Sequence, residues 1–153
     1  MNTVRLAVAE DAIALAPNLR QQDLAEICSL TSAPPVDVLL ASVGASVKCY
    51  TWTNEGRVVA LFGVAPTEFA EIGAVWMVAS PELVVEKDFM FTFGTQFIDE
   101  FNAMYPVLEN YILPSNDICM KWLDRMGFVF DDPAPIGPFD TNFTRFTRVL
   151  PCA

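Results

Sequence analysis

The 153-residue chain contains no histidine. That absence removes the side chain most used near neutral pH as a general base and as a metal ligand. Four cysteines, Cys28, Cys49, Cys119 and Cys152, lie far apart without a CxxC pair, so zinc-ligand spacing is missing and no metal site is expected. Cys28 and Cys119 fall on apolar helix faces and read as buried, reduced thiols. No window of about 18 residues is apolar and uncharged, so no membrane-spanning helix is expected. The first residues lack a basic segment followed by an apolar run, which argues against a signal peptide. Basic side chains are few and scattered: nine Lys and Arg stand against nineteen Asp and Glu, for a net charge of −10. Such a chain is not built for a nucleic-acid backbone or an anionic membrane. A reducing cytoplasm is the expected setting.

What is present is a large apolar fraction, 53%, with only 18% charged residues. That excludes disorder and suffices for a core in one domain over residues 1–153. Val4–Val8 alternates as an opening strand. A helix over Asp11–Ala16 is stopped by Pro17, and a second over Leu24–Leu30 has Asp23 and Glu26 at capping-box spacing. Pro34-Pro35 opens a third, with Val36, Leu39, Leu40 and Val43 inward and Gly44 at its end. Ser46–Thr53 and Arg57–Val64 are strands joined by the hairpin turn Asn54-Glu55-Gly56. The second is too apolar to alternate and reads as covered on both faces. After a loop over Pro66–Gly73, Ala74–Ala79 is a further apolar strand.

A long helix is expected over Lys87–Tyr105, with Phe93, Phe97, Phe101 and Met104 on one face. Leu108–Leu113 is a strand. Asn116–Phe128 is an amphipathic helix carrying Cys119, Trp122, Leu123 and Met126 on one stripe, with Gly127 as its left-handed exit. Phe128–Phe130 is a short strand, Asp131–Phe139 a loop, and Thr141–Leu150 the last strand. Together these predict an α/β (α+β) fold, a mixed sheet of about seven strands with helices on both faces.

The segment NDICMKWLDRMGF at Asn116–Phe128, set in this element order, resembles the GNAT (Gcn5-related N-acetyltransferase) superfamily. That family's late helix carries a loose Asn-x-x-Ala-x-x-Leu-Tyr-x-x-x-Gly-Phe pattern. Here Asn116, Cys119, Trp122, Leu123 and Gly127-Phe128 keep its spacing. The runs NLRQQDLAEI, ALFGVAP and VWMVAS add a narrower resemblance to small GNAT-like proteins of tailed bacteriophages. The resemblance implies a mostly antiparallel sheet and an acetyl-CoA-dependent N-acetyltransferase. In such an enzyme the Val75–Ser80 strand splays from Leu108–Leu113 to admit the thioester. Cofactor contacts then fall on Trp76, Val78, Ser80, Lys87, Asn116 and Trp122. Trp76 is equally readable as core, Asn116 as a helix cap, and Trp122 as an inward packing residue.

Two departures stand out. The family follows its fourth strand with a glycine-rich loop whose N–H groups cradle the diphosphate of CoA. Here the matching stretch is PELVVEKDFMF, which has no glycine, carries Glu82 and Glu86, and offers only Lys87 as a cation. Leu123 stands where the family often has a tyrosine acid, leaving Tyr111 or Tyr105 as substitutes. Without histidine, the candidate bases are Glu71 or Glu68, or a water held by backbone groups. The two departures also suit a different reading, a GNAT-fold binding module without catalysis. Its partner would be a host protein or a virion component, with a homodimer also open.

Overall fold

In the computed structural model, which describes residues 1–150, fifteen elements follow the expected alternation. Cys152 lies outside the described residues. The strands are β1 (Asn2–Leu6), β2 (Lys48–Asn54), β3 (Arg57–Pro66), β4 (Ile72–Ala79), β5 (Val107–Ile112), β6 (Val129–Phe130), β7 (Ala134–Ile136) and β8 (Thr141–Val149). The helices are α1 (Ala9–Leu15), α2 (Gln21–Leu30), α3 (Pro35–Ala45), α4 (Glu82–Val85), α5 (Lys87–Met104) and α6 (Asp117–Arg125), with one 3₁₀ turn at Ala16–Asn18. The strands form one eight-stranded sheet in the order β1-β2-β3-β4-β5-β8-β6, with β7 also pairing β8. Every pairing is antiparallel except β4 with β5.

The hairpin between β2 and β3 turns through Glu55 and Gly56, both at positive φ, the backbone that matches the twist of paired strands. β3 is buried along most of its length and divides two cores. One lies under α5 and α6 and is built on Trp52, Phe62, Phe101, Leu108, Trp122 and Phe146. The other lies under α1–α3 and holds Ala12, Leu15, Leu19, Ile27, Leu39 and Leu61. Asn102 is buried at the end of α5. It donates to the carbonyls of Tyr105 and Pro106 and accepts from Arg148, which ties that helix to β8.

Several expectations are corrected. β1 begins two residues earlier, where its register with Tyr50–Asn54 places it. Phe93 and Met104 are exposed, because the inward face of α5 runs through Met90, Gly94, Phe97 and Phe101. Cys28 is exposed, whereas Cys119 is buried. The loop over 131–139 contains β7, held only by the edge of β8. Asp23 is not a cap; it is buried and bonded to Arg20 and to the Ala79 N–H. No single described helix is long and apolar enough to cross a membrane.

Candidate active site at the split between two strands

The two strands that would flank an acyl group do part. β4 and β5 pair only at Ile72–Ala74 with Val107–Glu109, and both strands continue beyond the last pair. At the fork the Asn110 amide donates to the Val75 carbonyl at 2.6 Å. At the open end the Arg20 N–H donates to the Ala79 carbonyl at 2.8 Å, and the Ala79 N–H donates to Asp23 at 2.9 Å. Val75 and Ala79 therefore turn their backbone groups into the split. By the two-residue alternation of a strand, Met77 does too.

Val78 and Ser80 have the opposite parity. Ser80 donates its N–H to the Val59 carbonyl in β3, and Val78 lies opposite Leu61. Their backbone donors belong to the sheet, so the N–H aimed into the gap is that of Met77. The Ser80 hydroxyl instead meets the Glu82 N–H.

The split opens into a cavity of about 260 Å³ that passes from one face of the sheet to the other. On the α2–α3 side its wall holds Glu26, Ile27, Leu39 and Trp76; on the α5–α6 side it holds Met90, Phe97, Cys119 and Trp122. Of the expected site residues, Trp76, Val78, Tyr111, Asn116 and Trp122 line it. Glu71, Ser80 and Lys87 do not. Glu71 is exposed at the closed end of the fork, where its carbonyl accepts the Val107 N–H. Glu68 is likewise exposed, and Tyr105 is packed against Gly73.

Asn116 does not cap α6 with its side chain. It is 2% exposed, its Nδ2 donates to Glu26 at 3.0 Å, and its Oδ1 has no partner. Trp122 is also 2% exposed, and its indole N–H has no partner either. These are the two unpartnered buried polar side-chain atoms among the described residues, and both residues line the cavity. Such groups are costly to bury and are few in a native fold. Phe91 packs edge-on to Trp122, and Arg125 lies 4.3 Å over the Phe91 ring, so the indole is held in place.

The polar wall near the mouth was not legible as a site in the sequence. Arg20, only 6% exposed, bonds Asp23 through two nitrogens and reaches the Cys119 sulfur at 3.5 Å. Burial pushes the Cys119 thiol up to about 11, so it stays protonated near neutral pH and is no nucleophile. One helical turn after Asp23, Glu26 Oε1 accepts from the Leu113 N–H at 3.2 Å and from Asn116. Burial raises the Glu26 carboxyl, against the lowering effect of those two hydrogen bonds. Asp23 thus holds the end of β4, and Glu26 the end of β5.

Beyond β4 the chain makes an extra helical turn. The N–H groups of Leu83, Val84 and Glu86 bond to the carbonyls of Ser80, Pro81 and Glu82. Glu82 pairs with Arg57 at 2.6 Å, and Glu86 accepts from Asn2 and Asn54. The stretch is fastened to β1–β3.

No family model and no curated protein matches the chain. Solved structures do. An aminoglycoside acetyltransferase in complex with coenzyme A superposes with a TM-score of 0.67 at 16% identity, covering 97% of this chain and 95% of that one. An N-acetyltransferase of Staphylococcus aureus gives 0.72 at 14%, covering 99% of each. A GNAT-family acetyltransferase of Streptococcus pneumoniae gives 0.61 at 11%, covering 98% of this chain and all of that one. The chain has the GNAT fold. Its eight strands are one more than expected, since β7 falls in the stretch that reads as loop. In this GNAT fold the parted strands are the fourth and fifth, and α6, carrying Asn116 and Trp122, forms the wall beside them.

Proposed function

We propose that the protein transfers an acyl group, with acetyl-CoA as donor, from a thioester to an amine at the split between β4 and β5. The observation that carries this reading is the backbone of Met77, turned into the gap between two neighbours whose groups are already bonded. A preorganised N–H in an apolar site is suited to stabilise negative charge developing on a carbonyl oxygen. The slender arm of the donor suits the residues present. The unpartnered Asn116 Oδ1 would accept from one of its amides, and the Trp122 N–H would donate to another. The donor supplies an acyl carbon already activated as a thioester. Tyr111 is the cavity's one phenol and the candidate proton donor to the departing sulfur, where Leu123 cannot serve.

The diphosphate end is matched less well. The N–H groups of Glu82, Leu83, Val84 and Glu86 are taken up within their own turn and that of Ser80 by β3, no glycine lets a phosphate approach, and Lys87 is the exposed cation beside it. This supports a degenerate form of the family's loop, with recognition resting on the arm. Titration calorimetry with acetyl-CoA is the test: heat of binding and a raised melting temperature are expected. No heat and no thermal shift at millimolar ligand would refute the reading.

The same loop favours a second reading, a non-catalytic binding module in a virion of a tailed bacteriophage or on a host protein. A fold persists when its chemistry is lost. A stable partner recovered from purified virions or host lysate, with no acetyl transfer detected, would support it. Transfer without any stable partner would rule it out.

A further inference from the structure

Glu26 is a half-buried carboxylate that lines the cavity with one of its two oxygens unpaired. Its neighbour Asp23 is neutralised by Arg20, while both hydrogen bonds to Glu26 fall on Oε1 and no described donor reaches Oε2. No lysine or arginine lines the cavity. A carboxylate held against an apolar wall and partly out of water is favoured by a cation beside it. A route to it exists on the α3 face. An open groove of about 480 Å³, floored by Ala41, Ala45 and Ala65 with Asp37 at its rim, shares Val38, Ser42, Trp76 and Asn110 with the cavity. This route reaches the split from the face opposite α6.

We propose that Glu26 receives the ammonium group of a small primary amine with an apolar body, entering by the α3 groove, and takes its proton. The proposal rests on the acyl-transfer reading. The ammonium proton passes to Oε2. The freed nitrogen lone pair forms the C–N bond as the C–S bond breaks, and the sulfur leaves with that electron pair. A second nitrogen proton goes to the sulfur, directly or through Tyr111, giving an amide and a thiol. The proton on Glu26 is released to solvent.

Burial keeps the Glu26 carboxyl a better base than an exposed one. The ionisable groups around it are Asp23 and Arg20 at the start of its own helix, Cys119 on α6, Tyr111 on β5 and Asp37 on α3. The walls from β4 and α5 contribute none. The apolar body is set by Ile27, Leu30, Val38 and Trp76, which line the α2–α3 side of the cavity beside Glu26.

The isolating variant is Glu26→Gln, whose amide oxygen still accepts from Leu113 and Asn116 but cannot take a proton. Benzylamine is the probe acceptor with acetyl-CoA as donor, and benzyl alcohol the neutral control. The wild type should be stabilised by benzylamine and not by benzyl alcohol, and E26Q by neither. E26Q should lose about 100-fold or more in kcat/KM, together with the ionisation assigned to Glu26 in the pH profile. Glu26→Asp, which keeps the carboxylate, should recover part of the rate. Equal stabilisation of wild type and E26Q by benzylamine, or an unchanged pH profile in E26Q, would overturn the proposal. So would acetylation of a lysine peptide in preference to benzylamine. Absence of any transfer together with charge-selective benzylamine binding would refute the acyl-transfer reading and leave the ammonium site standing.

Discussion

Gly73 sits where β4 and β5 still pair, opposite Leu108, just before they part. A Cβ at this position would lie 2.6 Å from Tyr105 Cδ2, 2.7 Å from its Cγ and 2.8 Å from Val64 Cγ2. Two of those atoms belong to a ring packed against the core, and the third to a fully buried valine, so neither neighbour can swing aside. Overpacking of this kind costs about 1–3 kcal/mol. The entropy gained by replacing glycine offsets about 0.4–1 kcal/mol of that. Gly73→Ala should therefore lose about 1–2 kcal/mol, a fall in melting temperature of about 2–8 °C for a chain of this length. Urea unfolding read by tryptophan fluorescence is a suitable assay, because Trp52, Trp76 and Trp122 are all packed within the fold. The origin of the loss is checked by a double-mutant cycle with Tyr105→Ala, in which the cost of Gly73→Ala should fall but not vanish, because Val64 Cγ2 still stands 2.8 Å from the added Cβ. A Gly73→Ala protein as stable as wild type would refute the reasoning. The same loss with the ring removed would refute it too.

Other outcomes follow from the site and its supports. Trp122→Phe removes an unpaired buried donor, worth about 1–3 kcal/mol, so it should offset most of the lost packing and leave the free protein close to wild type in stability. Acetyl-CoA affinity by calorimetry should nonetheless fall about tenfold; unchanged affinity would detach the indole from ligand binding. Asp11 is pushed up by burial, but bonds from Arg5, Thr51 and the Val8 N–H outweigh this and bring it from 3.8 down to about 2. That shift corresponds to about 2.5 kcal/mol, present above about pH 4 and lost as the pH falls towards 2. The gap in urea stability between wild type and Asp11→Asn should accordingly close in acid; a gap constant with pH would contradict the assignment. Asp23→Ala leaves Arg20 buried without its partner and should cost about 3–5 kcal/mol. An Arg20→Met, Asp23→Leu double variant should recover most of it in the same assay.

Much of the fold could be read from local pattern because local pattern was what determined it. The Glu55-Gly56 turn, the apolar run of β3 and the stripe on α6 each carry their structural reason within a few residues. Asp23 and Glu26 show where that stops. Their three-residue spacing is that of a capping box, and equally that of two side chains on one face of a helix. Only the position of the ends of β4 and β5 decides between them. Val78 and Ser80, expected as cofactor contacts, turn their backbone donors to the sheet for a similar reason. Strand parity relative to a gap depends on which partner occupies each side, and β3 takes both. Phe93 and Met104 mark the opposite error. Gly94, whose lack of a side chain makes room for Met90 and Met126, carries no hydrophobic signal, so the inward face of α5 was centred one residue off.

The hold that α2 takes on both arms of the fork fixes a dimension of the site. With Asp23 fastened to Ala79 and Glu26 to Leu113, the mouth is gauged by one turn of helix. Its width is set by a stiff covalent spacer and not only by the compliance of two strands that have parted from each other. Ala79 stands five residues past the last paired position of β4, about 16 Å at the rise of a strand. Over that arm a rotation of about 5° at the fork would move the tip by about 1.4 Å, comparable to the tolerance of a reacting geometry. Substitutions on α2 that touch no ligand would therefore act as changes of aperture, altering which acyl groups the fork admits.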